Sequence, residues 1–235
     1  MVYFTSDTHF YHSNITTGLS NWTTGGQREF KDQYKMTDEL IENINLQAAE
    51  DDLIRHGGDW SFGGLDKIVK SRLRIVCDRI ILSLGNHDEH ILANKPIPPE
   101  LIDACQTRFG SSCKRLQDLF EEVTIKQSFK IHDTKATLQH YAERIWDKSH
   151  QGTIQLHGHS HAGLERTTQY LGHLPGGNHP VNQFYNEHRT MDVGIDNYFR
   201  IFNEYRMFTE DLIYHRLINR PILKLMDHHD ERTGN

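Results

Sequence analysis

The sequence predicts an α/β fold, and three observations carry that prediction. Short β-branched runs alternate with amphipathic segments through about residue 108, further strand-like runs follow between about 122 and 193, and no internal repeat or low-complexity tract interrupts them. The β-α-β-α-β order of the first half implies a parallel sheet, and the later runs imply a second sheet. The 235 residues contain no long Ser/Gly/Pro-rich or charge-block linker. That length suits one α/β domain, so residues 1–235 are read as a single domain.

Val2–Thr5 is short, apolar and β-branched, and reads as a buried strand ending at Ser6-Asp7. Residues 38–49 place Leu40, Ile41, Ile44 and Ala48 at helical spacing, with Thr37 as the expected N-cap. Residues 52–56 form the next expected strand, stopped by Gly57-Gly58, and residues 66–76 the next helix. Ile80–Leu84 is a third strand, and Pro98-Pro99 opens a helix through about Arg108. In the second half, residues 122–126, 129–132, 135–139, 153–156 and 190–193 read as strands, with Asp133-Thr134 as a tight turn. Residues 162–189, rich in Gly, Asn, Gln and His, read as a long surface loop on the substrate side.

Composition narrows the function. Cys77, Cys105 and Cys113 are odd in number and contain no C-x-x-C pair, which argues against a disulfide framework or a thiolate zinc site. The apolar runs are far shorter than the roughly 20 residues of a membrane-spanning helix, and the first residues lack a basic secretory segment. A cytoplasmic protein without membrane attachment is expected. The formal net charge of −6 disfavours stable nucleic-acid binding.

Five blocks carry the chemistry: Asp7-Thr8-His9, Gly58-Asp59, Gly85-Asn86-His87-Asp88, His140, and Gly158-His159-Ser160-His161. Singly each is weak, since Gly-Asp turns and His-rich loops occur without function. Each, however, follows an expected strand and offers oxygen or imidazole donors from a loop, so one rim can gather them all. Mixed carboxylate, amide and imidazole donors suit Mn, Fe, Zn or Ni better than magnesium alone.

The order D-x-H, G-D, G-N-H-D, lone His, G-H-x-H resembles the calcineurin-like metallophosphoesterase superfamily. The segments Tyr3–Ile15, His140-Tyr141 with Arg144 and Trp146, and Met191–Asp196 resemble a small bacterial and phage subgroup of it. The resemblance implies a four-layer α/β/β/α sandwich of two mixed sheets flanked by helices. It also implies two divalent ions, manganese foremost: Asp7, His9 and His161 for one, Asn86, His140 and His159 for the other, with Asp59 bridging them. Hydrolysis then proceeds through attack of a bridging hydroxide on phosphorus, with His87 as general acid and Asp88 holding its imidazole.

Arg144, four residues past His140, is read as a phosphate clamp or, alternatively, as an exposed helix arginine paired with Asp147. His12, Asn14 and Asn86 are further substrate-contact candidates. Asp192 and Asp196 read as turn or capping acids rather than ligands, and His56 and His157 as packing residues. The expected partner is a small phosphorylated substrate, nucleotides among them, and the sequence does not specify an oligomeric state. Two rival readings stand beside the phosphatase or phosphodiesterase: a nuclease, and a catalytically silent protein-binding platform on the same fold.

Overall fold

Successive side chains of β1 (Val2–Thr5) divide the interior in two. Tyr3 belongs to one apolar core and Phe4 to the other, as the two-residue period of a strand requires. The computed structural model of the chain describes residues 1–16, 28–164 and 180–224. Its first sheet runs β1, β2 (Leu53–His56), β3 (Arg79–Ser83) and β4 (Glu122–Thr124) in parallel, with β9 (Phe208–Thr209) added antiparallel to β1. The strand order is β4-β3-β2-β1-β9. A second sheet has the order β5-β6-β7-β8, from β5 (Lys126–Ile131), β6 (Thr134–Gln139), β7 (Ile154–His157) and β8 (Thr190–Asp192). Its β5–β6 pair is antiparallel and the others are parallel, so both sheets are mixed, as expected.

Helices α1 (Gln33–Gln47), α2 (Leu65–Arg74) and α4 (Ile102–Phe109) join the first core, setting Leu40, Ile44, Ile68, Val69 and Cys105 with Ile54, Ile80 and Leu82. The second core unites the sheets: Phe4 and Phe208 of the first meet Leu138, Ile154, Leu156 and Met191 of the second. Burying each such side chain contributes about 1.5–3 kcal/mol. A short helix α3 (Glu89–Leu92) follows β3, α5 (Pro180–Glu187) packs on β8, and α6 (Ile195–Phe202) and α7 (Glu210–Leu217) complete the described elements.

Several expectations shift. Helix α1 begins well before residue 38, because the Asp32 carboxylate, rather than Thr37, caps it by accepting from the Tyr34 and Lys35 amides at 2.9 Å. Thr37 is buried and accepts instead from the Tyr11 amide at 2.8 Å. The expected strand 122–126 is two strands in different sheets, broken at the exposed Ile125. The hairpin turn is His132-Asp133, one residue earlier than expected, since Ile131 pairs with Thr134. The loop expected at 162–189 contains α5, and its residues 165–179 lie outside those described. Tyr170 lies among them, whereas Tyr185 is buried with its ring 5.8 Å from that of His157. All three cysteines are free and buried, as their spacing predicts.

Candidate metal centre

Every block leaves the C-terminal end of a strand: Asp7-Thr8-His9 follows β1, Gly58-Asp59 follows β2, Asn86-His87-Asp88 follows β3, His140 follows β6 and His159-Ser160-His161 follows β7. These ends face one another across the two sheets, the position where open α/β sheets bind ligands. The first two loops continue the parallel ladder beyond the strands, with Asp7 N–H donating to Gly58 O at 2.9 Å and His9 N–H to Asp59 O at 3.1 Å. Asp88, buried, ties two blocks together by accepting from the Asp59, Trp60 and Gly85 amides at 2.8, 3.0 and 2.8 Å.

That geometry corrects the role expected of Asp88. Both its oxygens are turned to backbone amides, so it braces the loops rather than the His87 imidazole. Burial raises its pKa, while the three amides stabilise its charge.

The backbone at the donors is costly. Asp7, His9, Asp59, His159 and His161 all have positive φ, between 46° and 65°. A non-glycine residue there costs on the order of 1–2 kcal/mol. Such strain concentrates where a side chain must be aimed. Two glycines permit the crowding: a Cβ on Gly85 would lie 2.2 Å from Asp59 Oδ1, and one on Gly158 2.0 Å from Ser6 Oγ and 2.5 Å from Asp7 Oδ2.

Two donor clusters result, Asp7–His9–His161 and Asp59–His140–His159, each with its ligand atoms within 4.8 Å of one another. In the first, His9 Nε2 is 3.3 Å from His161 Nε2 and 3.9 Å from Asp7 Oδ1. In the second, His140 Nε2 is 3.2 Å from His159 Nδ1 and 3.0 Å from Asn86 Oδ1. Asp59 Oδ2 stands 3.6 Å from His9 Nε2 and 3.4 Å from His140 Nε2, between the clusters. Its other oxygen accepts from the His87 amide at 2.9 Å.

These residues fit divalent metal ions. Donors bound at about 2.0–2.2 Å stand roughly 3–3.5 Å from each other around one ion. The measured spacings lie at or slightly above that range. Imidazole nitrogens facing each other at such distances also cannot all carry protons.

The acid–base balance follows from burial and neighbours. Burial, reinforced by the surrounding cationic groups, holds His9 well below the ordinary histidine range, and it raises Asp7 to about 6. Burial works against charge at His140 too, yet the adjacent Asp59 and Asp7 raise it to about 9. His161 is raised likewise, against its burial, by Asp196.

Sequence reasoning missed the support of the first cluster. Arg28, fully buried, pairs with Asp196 through Nε at 2.8 Å, and Asp196 Oδ2 lies 2.6 Å from His161 Nδ1. Asp196 is thus an orienting residue, which its place at the start of α6 does not reveal. Arg28 stands outside every motif, so no local signal marks it. Asp192 braces its neighbourhood by accepting from Ser160 Oγ, the Ala162 amide and the Gly194 amide. His56 is structural as expected, its ring contacting Thr8 Oγ1 and the Gly58 amide at 3.1 Å each.

The remaining candidates divide. His87 is exposed, its ring 5.6 Å from His9 and 4.8 Å from Phe62. His12 stacks on Phe62 at 3.8 Å and lies 5.3 Å from His9. Asn14 is exposed, with its side-chain oxygen accepting from Ser13 Oγ. Arg144 sits outside any helix, its guanidinium 5.9 Å from the Phe184 ring centre. Tyr141, not anticipated, reaches the site: its hydroxyl donates to Asn86 Oδ1 at 3.3 Å and its ring lies 4.5 Å from that of His159. A pocket of about 230 Å³ adjoins the second cluster, lined by Asn86, His87, Ser61, Phe62, Glu89 and His90 among others.

Two mixed sheets with carboxylate and imidazole donors converging at their strand ends give the architecture of a metal-binding α/β protein. The family model of the calcineurin-like phosphoesterases matches residues 1–232, and the chain belongs to that family. No protein among the curated sequences compared matches it. Among solved structures, the chain is similar to a protein of unknown function from Aquifex aeolicus, at 19% identity and a TM-score of 0.56, covering 92% of this chain and 98% of that one. That likeness concerns the fold. No helix among the described residues is long and apolar enough to cross a membrane.

Proposed function

We propose that the chain is a dinuclear metal-dependent hydrolase of a phosphomonoester or a small phosphodiester. The observation that carries this reading is Asp59 Oδ2, one carboxylate oxygen within 3.6 Å of a histidine nitrogen from each cluster. In this reading Asp7, His9 and His161 hold one ion and Asn86, His140 and His159 the other, with Asp59 shared. When bound, two such ions supply Lewis acidity, lowering the pKa of water and offsetting phosphoryl charge. Manganese is the first choice, with iron, zinc or nickel compatible with the same donors.

The chain's own groups do the rest. In this reading His87, exposed and with its ring 5.6 Å from that of His9, gives a proton to the leaving oxygen, and its main-chain N–H to Asp59 fixes its loop. The adjoining pocket is small and lined by polar side chains together with Phe62 and Ile68, which favours a compact phosphorylated substrate, small nucleotides included. Arg144, His12 and Asn14 remain candidates for contacts to the rest of the substrate.

The test is a phosphatase and phosphodiesterase screen with manganese, comparing an aryl monoester, its bis-aryl diester and single-stranded DNA. His87→Ala is expected to lower kcat by about 10²–10⁴-fold while retaining bound metal. Asp59→Ala is expected to lose both activity and metal. If both variants match the wild type the mechanism is wrong, and dominant DNA cleavage would replace this reading with a nuclease.

A further inference from the structure

We propose that Arg28 and Asp196 are positioning residues dedicated to the first donor cluster, one buried guanidinium orienting Asp7, His9 and His161 together. This inference rests on the reading of those donors as metal ligands.

Every N–H of Arg28 has a partner. Nε and Nη2 donate to the two oxygens of Asp196 at 2.8 and 2.9 Å, Nη2 also donates to Asp7 O at 2.5 Å, and Nη1 donates to Thr8 O at 2.8 Å and points to Met36 Sδ at 3.6 Å. The side chain thereby grips two separate parts of the cluster. Through Asp196 Oδ2 it anchors His161 Nδ1 at 2.6 Å, which leaves Nε2 as the nitrogen facing His9 and Asp7. The carbonyls of Asp7 and Thr8 lie in a turn where Asp7 and His9 have φ of 54° and 46°. Donors at both carbonyls hold that strained turn in place, and with it the aim of both side chains.

A lysine could not replace this arrangement, because its single ammonium lacks the planar fork that spans a carboxylate and two carbonyls at once. Nor is packing a sufficient reason for the pair. A buried ion pair contributes little net stability relative to apolar residues of similar volume. Its distinctive product here is the orientation of one set of donors.

The second cluster is held differently. His140 Nδ1 lies 2.9 Å from the Gly57 carbonyl, and Asn86 receives the Tyr141 hydroxyl, so backbone and a surface tyrosine do the work that an ion pair does for the first. The two supports differ in kind, and the clusters touch where the Asp7 carboxylate accepts from the His159 amide at 2.9 Å, so a markedly larger effect at the first site is the signature of the proposal.

The experiment uses the full chain, stripped with chelator and titrated with Mn²⁺ by calorimetry, with metal content measured after dialysis. Asp196→Asn and Arg28→Met are compared with the double variant, which leaves no buried charge unpaired. Wild type is expected to take two ions. Each variant is expected to bind one of them about 10–100-fold more weakly, as for loss of an outer-shell partner, with the other within about twofold. The double variant should be no weaker than the worse single one, because the pair acts as a unit. Unchanged affinities, or parallel weakening at both sites, would overturn the proposal. Wild type that binds two ions beside unaffected variants sinks this inference alone, whereas wild type that binds fewer than two and hydrolyses no phosphoester removes the functional reading and this inference with it. A measurement independent of the variants is nitrogen NMR of the zinc-loaded wild type. His161 is expected to carry its proton on Nδ1 and ligate through Nε2, and ligation through Nδ1 would refute the assignment.

Discussion

The two donor clusters sit side by side, yet they are built on different physical terms. In the first, Asp7, His9 and His161 are all buried, and a buried Arg28–Asp196 pair stands behind them. In the second, Asp59 and His140 are buried but His159 and Asn86 are exposed, and support comes from the Gly57 carbonyl and from half-exposed Tyr141. A buried cluster and an accessible one, joined by Asp59, suit a site in which one side anchors and the other meets substrate. The small pocket reaches Asn86 of the accessible cluster, and the His87 ring on its wall lies 5.6 Å from His9 of the buried one.

The change expected to matter most strikes the boundary between them. Gly158→Ala places a methyl group 2.0 Å from Ser6 Oγ and 2.5 Å from Asp7 Oδ2, so β1, Asp7 and the His159–His161 loop must separate. The expected result is loss of metal at both sites, a lower melting temperature by an overpacking cost of about 1–3 kcal/mol, and no measurable turnover. Retention of two tightly bound ions would show that the loop has slack which these contacts deny.

A smaller, asymmetric pair of effects separates the clusters. Asp7→Asn removes a buried charged donor and is expected to abolish binding at the first site, whereas Asn86→Ala removes an exposed neutral one and is expected to weaken the second by about 10–100-fold. Metal titration of both variants measures the contrast. Equal effects would make the burial difference irrelevant. The same comparison predicts the order of metal loss in unmodified protein. Under a chelator, the ion of the accessible cluster should leave first, giving a one-ion form before the protein is stripped, seen as two kinetic phases in metal release.

The smallest effect is on stability against pH in chelated protein. His140, raised to about 9, and His161, also raised, hold protons in the folded state that they release in the unfolded chain above about 6.5. Their contribution is therefore complete below that pH and fades as pH rises through about 9. His9, His12 and His56 are lowered and act in the opposite sense, but only below about 6.5. The expected outcome is a melting temperature that falls between about pH 7 and 9 and that falls less with saturating Mn²⁺, which takes the place of those protons. A rising curve in chelator would contradict the assigned pairings.

Much of this was legible beforehand. The strands β1, β2 and β3 are marked by apolar runs that end in glycine or a polar loop, and the five blocks follow from their order and residue types. The helix start at Asp32 and the split at Ile125 were not, because a cap and a sheet edge depend on partners rather than period. The C-terminal elements α6, β9 and α7 escaped for a related reason. The two-residue β9 exists by pairing with β1, and the Asp196 at the start of α6 reads locally as an ordinary helix-start acid.

The sequence alone determined which atoms can bind metal and that each would stand at a strand's end, since both follow from residue chemistry and local pattern. Only the tertiary structure decided how those atoms are aimed. It assigned Asp88 to three backbone amides, split the donors into a buried and an accessible set around Asp59, and drew Arg28 across the chain to Asp196 and His161. The physical reason is that orientation is set by burial and by contacts between residues far apart in sequence, and no motif records those.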